Sequence, residues 1–212
     1  MRVAGVDGAR RGWVVAGDDG SVDLVDALDD VIADVRAGRL DAVAVDMPIG
    51  LPARPGERRA CDVAARRLLG ARRSSVFPAP ARCFLGASAF ADVTGMPVQA
   101  FHLLPRIAEV DRLVDAALQD RVVEAHPELA FTRLHGGSEV RTAKRTAEGL
   151  AQRARLLGLG APPRPPAGAR TDDVLDALAL VHTARRIADG TAERLGDPTA
   201  TDERGLRMEI AW

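Results

Sequence analysis

Residues 1–10 read MRVAGVDGAR, and the fold turns on how they are read. Val3 to Val6 is an apolar run of strand length, closed by Asp7 and followed at once by Gly8. A carboxylate at the end of a buried strand is costly unless a cation meets it. Gly8 allows a sharp turn and close approach of a ligand. Trp13, Val14 and Val15 then resume the apolar pattern, so the chain doubles back as a hairpin. On these residues two readings of Asp7 stay open. It is a turn aspartate, or it is the first of several carboxylates gathered round a metal or phosphate.

Outward from this stretch, Val3–Asp7, Gly12–Gly17 and Val22–Val25 read as a three-strand meander, with Asp18-Asp19-Gly20-Ser21 as the second turn. Asp26–Ala37 carries Leu28, Val31, Ile32 and Val35 at helical spacing and stops at Gly38. Leu40–Asp46, LDAVAVD, is almost continuously apolar, as a strand covered on both faces by helices is. The right-handed crossover rule lays it parallel to an earlier strand. If that strand is the first, Asp7 and Asp46 sit side by side at the carboxyl edge of the sheet, where ligands bind in open α/β folds. Pro48 prevents the strand from continuing.

Later stretches repeat the pattern. Arg121–Glu124 predicts a short strand ending in an acid, then His126 and Pro127, with Glu128 in the first turn of a helix. His126 is a ligand, a proton carrier or a residue hydrogen-bonded in place. Phe90–Gln119 predicts a mostly helical segment, kinked at Pro105. Thr142–Leu157 predicts a helix carrying Lys144, the only lysine, either as a partner for clustered acids or phosphate or as a surface residue. Gly160–Ala169 is a proline-rich rigid loop, and Leu206–Trp212 a final strand or tail.

Thr171–Ala188, TDDVLDALALVHTARRIA, predicts a helix with Thr171 as N-cap and Val174, Leu178 and Val181 on its packed face. Asp172 and Asp173 suit the positive end of the helix dipole. Asp176 lies a turn further in, among apolar residues, on the same face as Asp173. Two carboxylates on one face repel unless a cation lies between them.

Composition bounds the function classes. The 212 residues are 47% hydrophobic and 28% charged with a formal net charge of -1, as expected of one globular unit without staples. Aromatics make up 3% and tyrosine is absent, which argues against stacking platforms for bases. The charge balance excludes a wholly basic binding surface and leaves room for a local patch. That patch falls in Arg54–Arg82, where eight arginines face only Glu57 and Asp62. Guanidinium groups beside an acidic site suit phosphate contacts. Cys61 and Cys83 fit neither a zinc site nor a disulfide framework. With no signal-peptide pattern and no apolar stretch of spanning length, the expectation is a cytoplasmic protein.

The constellation Asp7, Asp46, Glu124 and Asp173/Asp176 resembles that of the RNase H-like superfamily. DDVLDALAL in particular is similar to the acidic last helix of RuvC-type resolvases. More closely, GVDGARRGW, VDMPIGLP, RRACDVAARRLLG, SSVFPAP, EAHPELAF and DDVLDALAL resemble the family called domain of unknown function 429, whose members are described as predicted nucleases of RNase H fold. The resemblance covers nearly the whole chain. It implies an α/β fold with a mixed five-stranded sheet, a meander plus parallel strands, flanked by helices. It also implies one domain over residues 1–212 with a helical insertion at about 53–120. The implied activity is divalent-metal-dependent cleavage of nucleic acid. Asp7, Asp46, Asp173 and Asp176 would hold Mg2+ or Mn2+ and Glu124 would support them. Arg10, Arg58, Arg73, Ser75, Arg82 and Lys144 would contact phosphate. Classical ribonuclease H carries its glutamate on the first helix, whereas the helix here has Asp29, Asp30 and Asp34 instead. Two other readings stand beside this one: a nucleotide or sugar phosphotransferase or ATPase on a related fold, and a non-catalytic nucleic-acid or nucleotide-binding module.

Overall fold

In a computed structural model describing residues 1–212, the opening hairpin forms as the sequence predicts. Strand β1 (Val3–Gly8) pairs antiparallel with β2 (Trp13–Gly17), which pairs antiparallel with β3 (Val22–Val25). Gly8 stays within β1. The reversal falls just beyond it, where Gly12 takes φ +61°. Helix α1 (Asp29–Arg36) then crosses to β4 (Ala42–Val45), which lies parallel to β1, and β5 (Val122–Glu124) lies parallel to β4. The sheet order is β3-β2-β1-β4-β5, a mixed sheet of five strands made of a meander plus parallel strands, as expected.

The two faces of the sheet differ in what they pack against. Val3, Ala42, Ala44 and Val123 point to one side, where they pack with Phe131, Leu175 and Leu180. Ala4, Val6, Val43, Val45 and Val122 point to the other, against Val31, Ile32, Ile107 and Val110. The first layer holds α5 (Pro127–Leu134) and α7 (Thr171–Ala188); the second holds α1 and α4 (Leu104–Leu113). Small residues on the α7 side let that helix come very close. A Cβ on Gly5 would stand 2.1 Å from the Ala177 carbonyl oxygen and 2.5 Å from the Val181 nitrogen.

The segment between β4 and β5 carries α2 (Ala60–Leu68), α3 (Val98–Phe101), α4 and three 3-10 turns. The long helix expected over Phe90–Gln119 is thus broken. Gly95 and Pro97 interrupt it, and Pro105 opens α4 instead of kinking a longer helix. Glu109 of α4 anchors this segment to the sheet, accepting hydrogen bonds from the Leu28 amide (2.7 Å) and Trp13 Nε1 (3.0 Å).

Two further differences matter for the site. Helix α6 spans Ala147–Leu156, with Thr146 as its N-cap, so Lys144 lies in the loop before it. Gly149 lets that loop fold back, since a Cβ there would meet the Ala143 carbonyl oxygen at 2.0 Å. The C-terminal stretch forms a hairpin of β6 (Arg194–Thr201) and β7 (Arg207–Ala211), which covers α2 through Cys61, Ala65, Leu69 and Ile210. Both cysteines are free thiols, and no helix is long and apolar enough to cross a membrane.

One buried ion network ties α5 to α6. Glu128 Oε1 accepts hydrogen bonds from Arg153 (2.8 Å), which is 0% exposed, and from Arg72 (2.7 Å). Burial works against the Glu128 carboxylate, but Arg72 and Arg153 hold it below the ordinary glutamate range. A depressed carboxyl contributes stability that is complete above the unfolded value of about 4.5 and is lost as pH falls through the lower folded value. Glu128→Gln is therefore expected to lower the midpoint of unfolding at pH 7 and to flatten its decline below about pH 4.5. Urea unfolding across that range checks both effects. An acid limb as steep as that of the wild type would rule the network out as its source.

Candidate active site

Asp7 and Asp46 reach the same place because of strand period. Val3, Gly5 and Asp7 alternate onto the α7 face of β1, and Ala42, Ala44 and Asp46 onto the same face of β4. The parallel register pairs Val3 with Ala42 and Val6 with Val45. The Asp46 amide donates to the Val6 carbonyl at 2.9 Å, so the two acids are neighbours one step beyond the ladder. The first turns of α7 bring Asp173 and Asp176 over this edge. Asp7, Asp46, Asp173 and Lys144 line one cavity of about 350 Å³; Asp46, Lys144 and Asp176 line an adjoining one of about 380 Å³.

Each carboxylate is held differently. Asp7 is 7% exposed, and its carboxylate receives no hydrogen bond from the protein. Burial, then Asp46 and Asp176, push it well above the ordinary aspartate range, against the pull of Lys144. Asp46 is half-buried and likewise receives no donor on its side chain. Asp176 is buried and accepts a 2.6 Å hydrogen bond from Lys144 Nζ; burial still pushes it up to about 6. Asp173 accepts from the Arg170 amide at 2.8 Å, so it caps the start of α7, with Arg170 rather than Thr171 in the N-cap position. Burial raises it as well. Asp172, which the sequence assigns to the helix dipole, is buried and paired with Arg145 at 3.0 Å.

Lys144 is the cation hydrogen-bonded to an acid of the cluster. Burial works against its charge, but Asp176, Asp7 and Asp46 hold it above the ordinary lysine range. Its ammonium pairs with Asp176, one of the two roles that the sequence allows it. As the side chains stand, no group of three or more His, Cys, Asp or Glu is disposed to hold a metal ion, because Asp176 is turned onto Lys144 and Asp173 onto a backbone amide. The donor set itself fits a hard divalent cation. It is all carboxylate oxygen, and Asp7, buried without a donor, is the group that a cation would relieve.

Glu124 lines the cavity of Asp7 and Asp46, but its carboxylate is committed to other partners. It pairs in register with Val45, not with Ala44 or Asp46, so its side chain emerges on the opposite face of the sheet. There both oxygens are taken by Arg59, Nη1 to Oε2 at 2.6 Å and Nη2 to Oε1 at 2.7 Å, and the Ile49 amide adds a third bond at 2.8 Å. Asp62 completes the network on Arg59. Burial works against the Arg59 guanidinium, yet Glu124 and Asp62 hold it well above its ordinary value. His126 lines both acidic cavities and is hydrogen-bonded in place. It N-caps α5, its Nδ1 accepting from the Glu128 amide at 3.2 Å while its Nε2 lies 3.2 Å from the Ser75 carbonyl.

The basic segment divides into inward and outward arginines. Arg82, expected on phosphate, is instead bound to Asp111 and Asp202 in a largely buried ion cluster away from the acids. Arg59 and Arg72 likewise serve buried glutamates. Arg58 and Arg73 line a separate cleft, Arg10 is exposed at the β1–β2 turn, and Ser75 lines both acidic cavities. Arg145 lines both cavities as well, and sequence reasoning does not single it out. Its position beside Lys144 is the only hint.

Comparison with the curated proteins gives no match. Among solved structures, Thermus thermophilus RuvC in complex with Holliday junction substrate is 18% identical with a TM-score of 0.36, covering 90% of this chain and 97% of that one. A second Thermus thermophilus RuvC structure is 19% identical with a TM-score of 0.34, covering 90% and 98%. A family model described as "Protein of unknown function (DUF429)" matches residues 5–201, and with its strand-end aspartates and late acidic helix inside that span the chain belongs to this family.

Proposed function

We propose that this protein is a divalent-metal-dependent hydrolase of phosphodiester bonds in nucleic acid, with Asp7, Asp46, Asp173 and Asp176 as its metal-holding groups. The observation that carries the reading is Asp7. Asp7 is a buried residue whose carboxylate takes no hydrogen bond from the protein, and burial with Asp46 and Asp176 outweighs the pull of Lys144, so its charge is costly in the protein alone. A bound cation offsets that cost, and carboxylate oxygens select Mg2+ or Mn2+ over softer metals. Such an ion, when bound, supplies Lewis-acid charge at a phosphoryl oxygen and acidifies its bound water.

The chain's own residues do the rest. Asp7 and Asp46 are fixed by the parallel ladder, and Asp173 and Asp176 by the first turns of α7. Lys144 balances the charge of Asp176 and keeps the cluster from repelling itself apart. Ser75 and Arg145, at the rim of both cavities, are placed to meet the substrate backbone. No serine or cysteine nucleophile is required.

Hydrolysis of a labelled oligonucleotide with Mn2+ tests the assignment. Asp7→Asn and Asp46→Asn, each checked for folding by circular dichroism, are expected to lose turnover at least about 100-fold. Unchanged turnover in Asp7→Asn would remove it from the site. Metal binding without cleavage of any phosphodiester would favour the non-catalytic binding module. Tight ATP binding would favour the phosphotransferase.

A further inference from the structure

Four arginines, one just before α2, two within it and one in the turn after it, line neither acidic cavity, yet they form a cleft of their own. Arg58, Arg66, Arg67 and Arg73 line a cavity of about 390 Å³ with Val63, Gly70 and Pro78. Its one acid, Asp62, is buried and committed to Arg59 and to the Ala79 amide. Arg66 is held by the carbonyls of Arg73 and Val76, which fastens the Gly70–Ser75 turn. Arg58, Arg67 and Arg73 are exposed and form no ion pair, whereas Arg59, Arg72, Arg82 and Arg153 are all engaged by carboxylates. In a chain with a net charge of -1, three free guanidinium groups around one concavity are a concentrated positive field. Asp62 also lines the cavity of Asp7 and Asp46, so the basic cleft adjoins the acidic one.

We propose that this cleft is a second, separate anion site that takes backbone phosphates of a nucleic-acid strand running from the acidic cavity. The assignment rests on the reading given under Proposed function and names the part of the substrate that lies beyond the scissile bond. The cleft has one hydrophobic lining residue and no aromatic. It therefore holds phosphates without reading or stacking bases, and its contribution is independent of sequence and steep in salt. Guanidinium groups, with paired donors, suit phosphate oxygens better than ammonium would.

The experiment is fluorescence anisotropy of a labelled oligonucleotide in EDTA, from about 50 to 200 mM KCl. It compares wild type with the triple variant Arg58→Gln/Arg67→Gln/Arg73→Gln, with Mn2+ calorimetry on both. Arg66 is left in place because it fastens the turn. Removing one arginine–phosphate pairing lowers the slope of log K against log salt by about 0.7–0.9, so the triple variant is expected to lose about 2–3 in slope, with Mn2+ binding unchanged. An unchanged slope, or wild type that binds no oligonucleotide, overturns the assignment even where Asp7-dependent Mn2+ binding stands. A reduced slope in the triple variant of a protein that binds no Mn2+ keeps the cleft and removes the metal centre. Release of the oligonucleotide by millimolar inorganic phosphate at constant ionic strength marks a site for small anions and overturns the commitment to a strand.

Discussion

Gly5→Val is expected to abolish cooperative folding, and Gly5→Ala to lower stability by at least about 3 kcal/mol. Gly5 is the point where α7 lies on β1. The nearest atoms to an added Cβ, the Ala177 oxygen and the Val181 nitrogen, are backbone and belong to a helix buried along most of its length. A side chain that swings away cannot relieve the clash; the helix must move. Overpacking a well-filled core usually costs about 1–3 kcal/mol, and clashes with backbone lie at or beyond the top of that range. Total stability of a domain is only about 5–15 kcal/mol, so the substitution removes much of it. Because α7 also carries Asp173 and Asp176, any Gly5→Ala protein that does fold is expected to bind Mn2+ more weakly, although Gly5 touches no metal. Urea unfolding followed through the buried Trp13 measures the effect. Gly160→Ala, a position with nothing within 4 Å of its Cβ, is the neutral control. A Gly5→Ala midpoint equal to that of wild type would mean that α7 does not seat on β1 in this way.

Glu124→Ala is the second large effect, and it falls on stability rather than on metal. Arg59 is 3% exposed and takes both oxygens of Glu124. Removing the glutamate leaves a buried guanidinium with Asp62 and the Ile49 and Gly50 carbonyls alone, for which the expected cost is about 3–5 kcal/mol. Glu124→Gln keeps the shape and loses the charge, so it should be destabilised less and remain foldable. In that folded variant Mn2+ affinity is expected to stay within about threefold of wild type, a change under about 0.7 kcal/mol. A metal ligand would show the reverse, near-wild-type stability with affinity abolished. The double variant Arg59→Met/Glu124→Met separates pair from site further, because replacing both partners of a buried ion pair is often neutral where removing one is not.

How far the sequence can be read is clearest at Glu124. Three strands end in an acid, and that grammar is visible in VAGVDG, LDAVAVD and RVVEA. It correctly leads to Asp7 and Asp46 at one sheet edge. It says nothing about which face each acid leaves from, because face is set by pairing register and one residue of slip reverses it. The small residues on the α7 face, Gly5, Ala42 and Ala44, are the only local trace of that choice, and they mean something only once α7 is known to cover them. The α7 acids are legible because helical spacing fixes their face directly. The periodicity places Lys144 on a helix, yet Thr146, the true cap, lies inside that pattern, and capping outweighs propensity there. The arginines of residues 54–82 cannot be sorted by sequence at all: Arg58 and Arg59 are adjacent, and one faces solvent while the other is buried. Strand β6, RLGDPTAT, is invisible because it is exposed along nearly its whole length and contains Pro198, so no apolar alternation marks it.

The central claim is that the aspartates form a cation site, and calorimetric titration of Mn2+ into wild type and Asp7→Asn tests it most directly. Both proteins are first shown to fold by circular dichroism. Binding by the wild type that disappears in Asp7→Asn is the expected result. Equal binding by the two proteins, or none by either, would contradict it and return Asp7 to the role of a strand-end residue.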